Sequence, residues 1–131
     1  MKRSEAREKA LQAVFQIDLS DIEAQEAIEN VLESASKKED QFLTHLVLGT
    51  VKNMPEIDSM ISGHLENWTL SRLGTVDRTI LRIAVYEMMY EEEIPLSVSM
   101  DEAIELAKKF GDDKSSKFIN AVLSKVKDAL N

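Results

Sequence analysis

Apolar residues recur every three to four positions along seven successive stretches of this chain, and no stretch alternates with the two-residue period of a strand. Ala6, Ala10, Val14 and Ile17 predict a first helix over 3–18, and Ala24, Ile28, Val31 and Leu32 a second over 21–35. Phe42, Leu43, Leu46, Val47 and Val51 predict a third over 39–53. Ile57, Ile61, Leu65 and Trp68 predict a fourth over 55–68, and Val76, Ile80, Ile83, Ala84 and Met88 a long fifth over 76–92. Ala103, Ile104, Ala107 and Phe110 predict a sixth over 100–110; Phe118, Ile119, Val122, Leu123 and Val126 predict a seventh over 114–129. Short polar connections between such helices imply an all-α antiparallel bundle, or a pair of small ones.

The punctuation sharpens the expected boundaries. Ser20/Glu23, Ser36/Glu39 and Ser99/Glu102 have the spacing of capping boxes, in which the hydroxyl and the carboxylate each satisfy a free N–H of the first turn. Pro55 suits a first helical turn, where its missing N–H is not needed. Pro95 stops the helix before it, and Gly111 after Phe110 is expected as a left-handed C-terminal cap.

Composition narrows the class. With 44% hydrophobic and 31% charged residues the chain has the balance of a folded domain rather than a disordered tail. Cysteine is absent, which excludes disulfides, thiol nucleophiles and thiolate metal sites and fits a reducing compartment. Apolar runs are too short for a membrane span, and Met1-Lys2-Arg3 leads into charge rather than a signal-peptide core, so a cytoplasmic location is expected.

Little in the pattern suggests catalysis. The four glycines are scattered, which leaves no phosphate-cradling loop. His45 and His64 sit inside amphipathic helices without a second ligand at metal spacing, and Glu91-Glu92-Glu93 is a solvated run at a helix end. The expectation is a protein with no enzymatic activity, cofactor or metal.

The formal charge of −8 argues against a polyanion partner until its distribution is considered. Lys2, Arg3, Arg7 and Lys9 face only Glu5 and Glu8 at one end; Lys114, Lys117, Lys125 and Lys127 face only Asp128 at the other. At 100° per residue Arg3, Arg7, Leu11 and Phe15 share one stripe of the first helix. Lys114, Phe118, Ala121 and Lys125 share one on the last, with Lys117 a step round. Guanidinium groups pair with phosphates and aromatic faces stack splayed bases, so both stripes suit single-stranded RNA. Taken alone, the first stripe reads rather more readily as a core Phe15 with the arginines snorkelling past it, and Phe118 is equally suited to the core and to a stacked base. The turn Asp112-Asp113-Lys114-Ser115-Ser116 opens the last helix with free N–H groups that attract phosphate, although the two aspartates oppose an anion. Packing of the first helix on the last would merge the stripes into one groove.

Three segments resemble the NusB family of transcription antitermination factors. They are Arg7 to Asp18; Val76-Asp77-Arg78-Thr79-Ile80-Leu81-Arg82-Ile83-Ala84-Val85-Tyr86-Glu87 followed by Ile94-Pro95; and Asp101 to Gly111 followed by Lys117 to Leu123. The resemblance covers essentially the whole chain. It implies seven helices in two subdomains, about 1–54 and 55–131, forming one RNA-binding domain. It further implies binding of the boxA element of nascent RNA together with NusE, a ribosomal small-subunit protein. The complex helps RNA polymerase, with other Nus factors, to read through terminators, notably in ribosomal RNA operons. Carried over by position, the RNA surface uses Arg3, Arg7, Phe15, Lys114, Lys117 and Phe118, and the NusE surface uses Asp77 and Arg78. No DNA or membrane partner is implied.

Departures from the family pattern bear on affinity. Ser4 and Glu5 stand where further basic residues often sit, Lys114 stands where some members are acidic, and Ala121 replaces a common glycine. Fewer terminal cations predict weak, salt-dependent RNA binding that NusE strengthens. An alternative class is a helical protein–protein adaptor without direct RNA binding. A third is the RNA-targeting domain of a methyltransferase, for which a chain stopping at Asn131 leaves no catalytic fold.

Overall fold

The computed structural model describes all 131 residues: seven α-helices, one short 3-10 turn and no strand. The helices are α1 (Arg3–Ser20), α2 (Ala24–Ser34), α3 (Gln41–Lys52), α4 (Met54–Ser62), α5 (Thr75–Tyr90), α6 (Leu96–Phe110) and α7 (Ser115–Leu130); the 3-10 turn is Leu70–Arg72. The chain divides into two compact units, Met1–Asn53 and Met54–Asn131. No helix is long and apolar enough to cross a membrane.

In the first unit α1 packs on both α2 and α3. Ala6, Ala10 and Ala13 on α1 are wholly covered, and these small residues let the helices approach closely. Val14, Ile28, Val31, Leu43, Leu46 and Val47 fill the space between. Each such burial contributes about 1.5–3 kcal/mol. In the second unit α5 is central, packing on α4, α6 and α7, and α6 packs on α7. Its core joins Ile57 and Ile61 of α4 to Ile80, Leu81, Ile83 and Val85 of α5, and to Leu106, Ala107, Ile119, Leu123 and Val126 beyond. Arg82 of α5 locks α4 with a two-pronged ion pair to Asp58, 2.8 and 2.9 Å long.

None of the three expected capping boxes opens a helix. Ser20 is the last residue of α1, because Asp21 turns left-handed (φ 55°) and returns its N–H to Ile17. Ser36 is likewise left-handed (φ 54°) and closes α2: its N–H reaches the Glu33 carbonyl and the Lys37 N–H reaches Leu32. That bond pair is a Schellman motif, so the serine ends one helix instead of starting the next. Asp40 takes the cap of α3, its Oδ1 accepting the Leu43 N–H at 2.9 Å. Ser99 lies inside α6, 1% exposed, and its hydroxyl donates to Oε1 of the equally buried Glu87 at 3.0 Å. Helix α6 starts earlier than expected because the Pro95 carbonyl accepts the N–H groups of Val98 and Ser99.

Two further expectations fail, for reasons of steric crowding and of backbone turns. Gly111 is extended (φ −89°, ψ −172°), not left-handed. A glycine is required there because a Cβ would collide with the Ser115 side chain and lie 2.8 Å from the Ala107 carbonyl oxygen. Helix α4 stops at Ser62, well short of Trp68. Tight turns carry the His64 N–H to Ile61 and the Leu65 N–H to Ser62, and Asn67 is left-handed (φ 64°). His64 donates its Nδ1 proton to the Met60 carbonyl at 2.8 Å, His45 is exposed, and no group of acidic or histidine side chains is placed to hold a metal.

Candidate nucleic-acid interface

The second unit carries an open cleft of about 470 Å³ lined by Trp68, Arg72, Leu73, Gly74, Asp77, Asp112, Lys114 and Phe118. Three elements build it. The segment after α4 supplies Trp68, the only tryptophan, 57% exposed. The 3-10 turn Leu70–Arg72 brings in Arg72, which is exposed. The N-terminal turn of α7 presents Lys114 at the cap and half-buried Phe118 one turn later, while Ile119, Val122, Leu123 and Val126 anchor the opposite face of the helix. Lys125 on α7 binds Glu66 at 2.7 Å, tying the Trp68 segment to that helix. This bond holds the Glu66 carboxyl below its ordinary range.

The electrostatics are mixed. Arg72 and Lys114 supply positive charge, Asp77 and Asp112 negative. Asp112 Oδ1 accepts the Lys114 N–H at 2.8 Å and approaches the Ser115 hydroxyl at 3.3 Å. The backbone bond from Lys114 is the main reason its carboxyl titrates below the usual carboxylate range. The aspartate thus occupies donors of the α7 N-terminus that the sequence offers to phosphate.

The predicted site residues fall into two groups. Lys114 and Phe118 share the cleft with Asp77; Lys117 is exposed on the same turn of α7. Arg78 is half-buried, and its Nη1 donates to the Leu73 carbonyl at 3.1 Å. In the first unit Arg3 is exposed, Phe15 half-buried and Arg7 only 3% exposed. Both guanidinium groups lie over the Phe42 ring, 4.5 Å from its centroid for Arg3 and 5.2 Å for Arg7. Trp68, Arg72 and Phe42 did not figure among the sequence candidates. No local signal marked Trp68 and Arg72, which lie outside the α-helices among Leu70 and Leu73, or Phe42, whose neighbours come from another helix.

The likeness to known proteins extends over the whole chain. It is 59% identical over 127 residues to the transcription antitermination protein NusB of Bacillus subtilis strain 168, spanning 97% of this chain and 95% of that protein. Identity to the same protein of Bacillus velezensis is 58% over 127 residues, covering 97% and 96%. A solved structure of antitermination factors NusB and NusE in complex with double-stranded RNA matches with a TM-score of 0.89 at 32% identity, over 97% of this chain and 96% of the matched one. The NusB family, members of which act in transcription antitermination by name, matches residues 4–128. The match of residues 4–128 to the family, the identity to these relatives and the seven-helix fold make the chain a member of the NusB family.

Proposed function

We propose that this chain is a transcription antitermination factor that grips boxA-type RNA together with NusE and so helps the RNA polymerase elongation complex, with other Nus factors, to pass terminators. It works in the cytoplasm and catalyses no reaction of its own. The observation that carries this reading is the cleft in which two aromatic side chains and two cations converge. Trp68 and Phe118 offer π faces to a splayed base, and Arg72 and Lys114 neutralise the flanking phosphates. Lys117 extends the RNA contacts of this unit; in the first unit Arg3 and Phe15 offer contacts of their own, while Arg7, buried against α3, stands behind Arg3 and does not touch RNA. Asp77 with Arg78 meets NusE beside the cleft. The likeness to a complex of NusB and NusE with double-stranded RNA supports NusE and RNA as the partner classes.

Fluorescence anisotropy with a labelled boxA-type single strand, its duplex form and purified NusE tests the proposal. The single strand is expected to bind more tightly than the duplex, because only unstacked bases expose their faces. NusE is expected to raise that affinity, and Asp77→Lys to weaken the NusE contribution. RNA binding absent both with and without NusE would overturn the proposal; NusE binding in that circumstance would leave a protein–protein adaptor.

A further inference from the structure

We infer that Phe42, in the first turn of α3, is a positioning residue for RNA binding: its ring holds the Arg3 and Arg7 guanidinium groups so that Arg3 faces an incoming phosphate. The inference rests on the RNA-binding reading above and assigns a role to a residue outside the cleft. Its starting point is the contrast among cations. Lys37 reaches Glu5 at 3.7 Å, Lys125 reaches Glu66 and Arg82 grips Asp58. Arg3 makes no ion pair; it is exposed and lies over an aromatic ring instead. A carboxylate would consume its N–H donors and cancel its charge. A π face restrains the long side chain while leaving all five donors and the full charge for a ligand.

The platform itself is fixed. Asp40 caps α3 through the Leu43 N–H, and the Thr44 hydroxyl donates to the Asp40 carbonyl at 3.0 Å, which sets the helical turn that carries Phe42. Arg7, almost wholly covered, occupies the same ring from within the α1–α3 packing. The arrangement is a preorganised anion contact of the first unit, with Arg3 as the touching residue and Phe42 as its support.

Anisotropy titrations with a boxA-type single strand at several salt concentrations test this. Phe42→Leu is expected to weaken binding about three- to fivefold. It should also flatten the slope of log affinity against log salt by about 0.7, the value for one lost phosphate contact on a single strand. Arg3→Ala should show the same loss and slope; the double variant should be no worse than Arg3→Ala, and Phe42→Tyr should restore binding. A residue that merely supports folding would leave the slope unchanged. Losses that add in the double variant, or an unaltered slope in Phe42→Leu, would overturn the inference alone. Wild-type protein that binds no RNA at any salt removes the functional reading and this inference with it. If Phe42→Leu loses its helical circular dichroism, the NMR signal of the wild-type Arg3 Nε–H decides. A ring-current shift retained on RNA binding supports the platform, and a random-coil position overturns it.

Discussion

Phe118→Ala isolates the stacking contribution in the cleft. Phe118 is half-buried, with the neighbouring Ile119, Val122 and Leu123 supplying the covered face of α7. Truncation therefore costs less stability than the about 3–5 kcal/mol of a fully buried phenylalanine, and the protein stays folded. Loss of one stacked base costs about 1–3 kcal/mol, or roughly five- to 150-fold in RNA affinity. The charge contribution separates cleanly from it. Phe118→Ala leaves Lys114 and Arg72 in place, so the salt slope should equal that of the wild type, whereas Lys114→Ala should flatten it by about 0.7 with a smaller loss near physiological salt. Trp68, the sole tryptophan, shares the cleft, so its fluorescence reports occupancy directly. Saturating RNA should quench wild-type emission, and Phe118→Ala should need a proportionately higher concentration to reach the same quench. Unquenched Trp68 at saturation, or Phe118→Ala with wild-type affinity, would refute the assignment of this cleft to a base.

Gly111→Ala should destabilise the protein by about 1–3 kcal/mol, since Ser115 and the start of α7 must move to admit the Cβ; thermal unfolding measures it, and an unchanged midpoint refutes the steric argument. Ser99→Ala should cost about 1–3 kcal/mol in urea titrations, because it deprives the buried Glu87 carboxyl of a donor; a loss under half a kcal/mol would show that other contacts of Glu87 suffice. Asp112→Asn keeps an acceptor for the Lys114 N–H while removing an anion from the cleft, so RNA affinity should rise on the order of two- to fivefold at low salt. A carboxyl depressed below its ordinary range stays charged until the pH falls through that lowered value, so mild acidification of the wild type should not reproduce this gain.

Helix number was legible in the sequence because a 3.6-residue apolar period must be satisfied by burial, and Ala10, Ile28, Leu46, Ile61, Ile80, Ala107 and Leu123 are indeed covered. Boundaries were less legible. A Ser-x-x-Glu spacing also arises where the serine sits two residues past a helix, as Ser36 does, or inside one, as Ser99 does. Trp68 continued the apolar phase of α4 and so resembled core; nothing local revealed that the chain leaves the helix at Ser62 and exposes the indole. Lys114 and Phe118 were accessible because they share one helix. Their partners Trp68 and Arg72 are 46 residues or so upstream and meet them only through the packing of the second unit. The Arg3 and Arg7 stripe was visible, but the burial of Arg7 depends on α3.

A net charge of −8 constrains how such a protein can bind RNA at all. The cleft holds as many carboxylates as cations, so its electrostatic contribution is small and falls quickly with salt. Two phosphate contacts give a slope of about −1.4, and a fourfold rise in salt then weakens binding only about sevenfold. One stacked base contributes as much or more. On this reading the aromatic pair, rather than Arg72 and Lys114, decides whether RNA stays bound near physiological salt. The acidic remainder disfavours indiscriminate association with duplexes, whose high charge density meets repulsion without exposing bases to stack. Selectivity for flexible RNA then comes at the expense of strength, which is why the proposed partnership with NusE matters most to affinity.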